Sequence, residues 1–177
     1  MRFFTRELYT RFNSSNAIEA DEADKLWEQA SVAYRRHLRQ LSKKLPDSAR
    51  ALSKLCLHDA ELMNPKRRDP FLVHLPEVAS VGVVKRFNGD GRPAYLITYS
   101  LFENVRETSV SSAWPFSKKN VRWLYDEIDT SESGAHRFVH RILLSDGRVV
   151  VIPFTNLGVH ELTTQIESMA GLVVQSA

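Results

Sequence analysis

The sequence predicts an α+β domain with helices first and an antiparallel sheet second. Three observations point there. Apolar residues recur every three to four positions over residues 17–45, alternation of period two begins near Val78, and turn-forming pairs separate the alternating runs.

The helical half opens after "NSSN", which supplies N-cap candidates. A long amphipathic helix is expected from Ala17 to Leu45, with Ala23, Trp27, Ala30, Tyr34, Leu41 and Leu45 as its apolar stripe. Leu26 and Leu38 widen the stripe, and Pro46 ends it. Acidic residues at the start (Glu19, Asp21, Glu22, Asp24) and basic ones at the end (Arg35, Arg36, Arg39, Lys43, Lys44) complement the helix macrodipole. A second helix is expected from "PDSAR", capped by Asp47 or Ser48, with Leu52, Leu55 and Cys56 inward. It ends within "LCLHDAELM".

"NPKRRDP" reads as a loop, because two prolines and three cations suit neither helix nor strand. "VASVGVVKRF" and "PAYLITYSLF" flank "NGDGR", whose glycines accept the positive φ of a hairpin turn. "VRWLYDEID", "HRFVHRILL" and "RVVVIPF" follow, the last two joined by the turn "SDG". About five strands in an antiparallel meander are therefore predicted. The segment after Val159 fits a short C-terminal helix or a frayed end.

A chain of 177 residues is expected to form one domain, 1–177. Its single cysteine, Cys56, precludes an internal disulfide, so a reducing cytoplasm is the default compartment. "MRFFTRELYTRFNSS" lacks the apolar core of a signal peptide, and no run nears the ~20 apolar residues of a membrane span. The net charge is +3, and the excess of cations belongs to the first half: residues 1–92 carry 17 Lys and Arg against 12 Asp and Glu, residues 93–177 carry 7 against 9.

No G-x-S-x-G, Walker A, C-x-x-C or H-E-x-x-H motif occurs. His136 and His140 have the spacing of a helical metal pair but fall in a strand pattern. There, four residues span roughly 13 Å, too far for zinc–nitrogen bonds of about 2.0–2.1 Å. No metal and no cofactor is expected. In "YDEID", alternation places Glu127 and Asp129 on one face with Trp123 and Tyr125, and Asp126 on the other. Cys56 reads as a buried structural thiol. The adjacent pair His58–Asp59 makes a poor catalytic dyad because neighbouring side chains diverge. Asp59 is expected to hold backbone amides, with His58 facing the sheet near Glu127.

The segments "RFFTRELY", "LCLHDAELM", "WLYDEID" and "HRILLSDGRVVVIPF" resemble a bacterial family known as a domain of unknown function. The resemblance spans most of residues 1–154. It implies a bacterial, cytoplasmic α+β domain and carries over no catalytic residue.

Three functions are weighed. The leading one is a non-enzymatic module that binds another protein, with Trp114 and Phe116 of "WPF" as exposed aromatic anchors. The second is a hydrolytic or metal-assisted enzyme in which His58, Asp59, Glu127 and His140 converge. The third is nucleic-acid binding through Arg35, Arg36, Arg39, Lys43 and Lys44.

Overall fold

A computed structural model describes residues 1–63, 70–85, 93–109, 114–116, 121–134 and 136–162. The expected "NGDGR" turn, nearly all of "NPKRRDP" and the segment after Leu162 lie outside these residues.

Three helices precede the sheet: α1 (Arg6–Phe12), α2 (Ala17–Leu41) and α3 (Asp47–Leu52). Thr5 caps α1 by accepting from the Leu8 amide, and Asn16 caps α2 by accepting from Ile18 and Glu19. The long helix ends four residues earlier than its periodicity predicts, and Leu45 is buried beyond it. Arg50 explains how the chain turns there. Its guanidinium donates to the Ser42 and Leu45 carbonyls at 3.0 Å each, satisfying groups that the helix end leaves open, and also pairs with Asp47. No side chain caps α3, whose N-cap is Pro46 rather than Asp47 or Ser48. Helix α1 was not expected. Seven residues are too few to hold a helix by themselves, and this one is held by tertiary contact, with Tyr9 and Phe12 packed against Trp27.

The sheet is antiparallel, as expected, but the described residues form eight strands rather than five. They are β1 (Ala60–Leu62), β2 (Val73–His74), β3 (Val78–Val84), β4 (Ala94–Leu101), β5 (Arg106–Thr108), β6 (Arg122–Thr130), β7 (Phe138–Leu144) and β8 (Val149–Leu162). The additional strands β1, β2 and β5 have two or three residues each, too short to display an alternation. Strand β8 runs through Leu162, where the sequence suggested a helix or frayed end.

Short β1 changes the architecture. It pairs with β6 through Ala60↔Trp123 and with β3 through Glu61↔Val84 and Leu62↔Val83. The ring β1–β6–β7–β8–β4–β3 thereby closes on itself, a barrel instead of an open meander. The segment expected to finish a helix, "LCLHDAELM", is thus the closing strand and its approach.

Residues alternating inward fill the barrel: Val81, Val83, Ile97, Tyr99, Trp123, Ile128, Phe138, Ile142, Ile152 and Phe154. Leu41, Leu45, Ala49, Leu52 and Leu57, in and around α3, join the same core. Outside the β6–β7 face, Phe4, Trp27 and Tyr34 form a second cluster against Tyr125. The exposed Leu26 does not widen the stripe of α2, and Cys56 is exposed rather than buried. No helix among the described residues is long and apolar enough to cross a membrane.

Candidate functional site

The acidic segment of β6 departs from simple alternation. Trp123 pairs with Leu144 and Tyr125 with Leu143, so one extra residue, Leu124, bulges from the ladder. Beyond the bulge the faces exchange. Trp123 shares the barrel interior with Asp126, while Tyr125 and Glu127 face the helices.

Inside the barrel Asp126, His140, Tyr99 and Trp123 form one hydrogen-bonded chain. The Tyr99 hydroxyl lies 2.8 Å from His140 Nδ1, His140 Nε2 lies 3.0 Å from Asp126 Oδ2, and Trp123 Nε1 donates to Asp126 Oδ1 at 3.0 Å. One assignment satisfies every group: Tyr99 donates to Nδ1, and a neutral imidazole donates from Nε2 to the carboxylate. Burial, and secondarily the Asp126 charge, hold the Tyr99 phenol well above its usual value, which keeps it a donor. The order hydroxyl–imidazole–carboxylate matches that of a nucleophilic triad. Tyr99 and His140 are, however, both 0% exposed, so the hydroxyl meets no solvent. The chain acts as a satisfied polar core that fixes which strands face which.

Glu127, 2% exposed, lies on the opposite face. Its Oε2 accepts from the Arg2 amide and its Oε1 from the Phe3 and Phe4 amides, all at 2.7 Å. One carboxylate thus ties the N-terminal segment to the barrel and positions Phe4 against Trp27 and Tyr125. Asp129 faces His37 at 3.3 Å and Arg141 at 3.8 Å.

The expected convergence of His58, Asp59, Glu127 and His140 does not form. His140 is inside the barrel, Glu127 is outside it with both oxygens engaged by amides, and His58 Nδ1 donates to the Leu124 carbonyl at 2.8 Å. His58 does face the sheet, packed at a tilt against Tyr125 with ring centroids 4.6 Å apart. Asp59 corrects the expectation about adjacent residues. At a φ of 60° its carboxylate comes within 3.3 Å of His58 Nε2, and its amide donates to the Trp123 carbonyl instead of its carboxylate holding amides. The H-x-x-x-H pair is divided, since β7 begins at Phe138 and leaves His136 exposed in the turn before it. Among the described residues no three His, Cys, Asp or Glu side chains gather as a metal site.

Trp114 is 8% exposed, not an exposed anchor. Its indole donates to the Ser145 carbonyl at 3.1 Å, stacks on Tyr9, and lies against Gly147, where a Cβ would meet the ring at 2.6 Å. Phe116 is half-buried against Trp114 and Tyr9. "WPF" plugs the joint between α1 and the β7–β8 turn.

The basic residues of α2 lead to a different surface. A cleft of about 490 Å³ runs between α2 and α3, lined by Val32, Arg35, Leu38, Arg39 and Ser42 on one side and by Arg50, Ser53 and Lys54 on the other. Positions 32, 35, 39 and 42 recur at helical spacing and so share one flank of α2. Arg35 and Arg39 from the expected basic cluster line it, whereas Arg36, Lys43 and Lys44 do not. Arg50 and Lys54, absent from the sequence-based cluster, supply the opposite wall. Among the described residues no acidic one lines the cleft, and Val32 and Leu38 give it apolar surface. Ser42 and Ser53 donate their hydroxyl protons to the Arg39 and Arg50 carbonyls, leaving the charged groups as the lining side chains that can donate to a ligand. Arg50 could have been recognised from its position one turn after Pro46. Its partnership with α2 depends on the turn between the helices, which residue spacing does not encode.

No protein-family model, curated protein or solved structure matches this chain.

Proposed function

We propose that the protein is a non-enzymatic module that binds another protein, and that the α2–α3 cleft is its binding surface. The observation that carries this reading is the combination, in one open groove, of four cationic residues (Arg35, Arg39, Lys54 and Arg50, the last paired with Asp47) with the apolar side chains of Val32 and Leu38. Apolar surface supplies binding energy, and charge selects the partner and steers its approach. Two of the residues that suggest an enzyme, Glu127 and His140, are engaged in holding the fold, Glu127 by the N-terminal amides and His140 by Tyr99 and Asp126.

Affinity capture from the cells that make the protein tests this. The native protein retains a partner, and the double variant Arg39→Glu, Lys54→Glu releases it while keeping the native circular dichroism spectrum. Equal retention by both would place binding elsewhere. Retention abolished by nuclease treatment would favour a nucleic acid over a protein.

A further inference from the structure

We infer that the cleft receives a short extended stretch of its partner in which carboxylates flank an apolar side chain. This rests on the protein-binding reading above and specifies the chemistry of the occupant.

The dimensions favour a chain segment. From Val32 to Ser42 the α2 wall extends ten residues, about 15 Å of helix. An extended strand covers that length in about four to five residues. Val32, Arg35, Arg39 and Lys54 are exposed and Leu38, Ser42, Arg50 and Ser53 half-buried, so the groove is open along its surface rather than enclosed around a small molecule.

Charge complementarity decides the occupant's chemistry. Cations stand on both walls, Arg35 and Arg39 on α2 facing Lys54 of the α3 region, so an acidic side chain leaning to either side meets a positive charge. Arg50 is already held by the Ser42 and Leu45 carbonyls and paired with Asp47, so it shapes the wall while Arg35, Arg39 and Lys54 are the cations open to a ligand. Arginine's planar fork suits carboxylates. Val32 and Leu38 provide a place for one apolar side chain between the charges. A single nucleic-acid strand fits less well, because among the described residues no aromatic ring lines the walls to stack with bases.

The test is fluorescence anisotropy on the full-length protein with three labelled probes: a peptide alternating Glu and Leu, the same peptide with Gln for Glu, and a single-stranded DNA of similar length. The Glu–Leu peptide is expected to bind, to weaken more than about tenfold when salt rises from low to several hundred millimolar, and to lose binding in Arg39→Glu, Lys54→Glu. The Gln peptide is expected to bind at least about tenfold more weakly. Val32→Asp, on an exposed position that leaves all four cations in place, is expected to reduce binding of the Glu–Leu peptide as well. The inference is overturned if the Glu–Leu peptide fails to bind, binds no better than the Gln peptide, or binds the charge-reversed protein equally. It is also overturned if only the DNA binds. If a captured partner still depends on Arg39 and Lys54 while the Glu–Leu peptide does not bind, the protein-binding reading survives and the acidic segment does not.

Discussion

Asp126 and Glu127 are neighbours on β6, yet their carboxylates lie on opposite sides of the sheet and perform opposite tasks. Asp126 accepts from Trp123 and His140 inside the barrel, and Glu127 accepts from three successive amides of the N-terminal segment outside it. One strand therefore sets both the polar centre of the barrel and the docking of residues 2–4.

Glu127→Gln is expected to loosen that docking. An amide supplies one accepting oxygen where three N–H groups are aimed, so at least one buried donor loses its partner, at about 1–3 kcal/mol. Urea unfolding would show the loss, and quenching of Trp27 fluorescence would become easier if the Phe4 packing opens. Unchanged stability would mean that the clamp is replaceable.

Tyr99→Phe removes the proton that His140 Nδ1 accepts and leaves that nitrogen unpaired in the barrel core. The expected cost is about 1–3 kcal/mol. A double-mutant cycle with His140→Phe should show coupling, because the chain is one network. Strict additivity of the two substitutions would contradict it.

Gly147→Ala should destabilise by about 2–4 kcal/mol, from overpacking and positive-φ strain together. Gly147 has a φ of 85°, and its added Cβ would collide with Trp114. In a Trp114→Ala background the collision disappears and only the backbone strain remains, so the cost of Gly147→Ala should fall by at least about 1 kcal/mol. An equal cost in both backgrounds would mean that the indole does not press on the turn.

Stability should fall in alkali. Burial, then the neighbouring Tyr9, Asp59 and Cys56, push the Tyr125 phenol from its usual 10.0 up to about 12. The folded protein keeps a proton that the unfolded chain gives up above pH 10. The stabilisation is whole below about pH 10 and is lost as pH rises toward about 12. Tyr9, Tyr34 and Tyr99 shift in the same direction. Melting temperature measured from pH 9 to 12 should drop, less steeply in Tyr125→Phe.

Long-period features were legible in the sequence. Helix α2 starts at Ala17 with Asn16 as cap, and Trp27 and Tyr34 face inward, because helical spacing and cap chemistry are local. Strands β3, β4, β6 and β7 lie where alternation placed them. Barrel closure was not legible, since β1 has three residues and its partners are set by distant strands. The bulge at Leu124 was equally hidden, and it reassigned Trp123 from the face of Glu127 to that of Asp126. Segments far apart in the sequence meet in the fold. Glu127 of "WLYDEID" holds "RFF", and Trp123 and Leu124 receive Asp59 and His58 of "LCLHDAELM". Their chemistry-bearing residues thus read as fold determinants.

Site-specific cross-linking tests the central claim most directly. With a photoreactive amino acid at Val32 in the cleft, irradiation in the source cells should join the protein to a partner polypeptide, and Arg39→Glu, Lys54→Glu should abolish the adduct. The same probe at Ile18, exposed on α2 but away from the cleft, should give none. Equal adducts from Ile18 and Val32, or an adduct from Val32 that survives charge reversal, would contradict recognition through the cationic cleft.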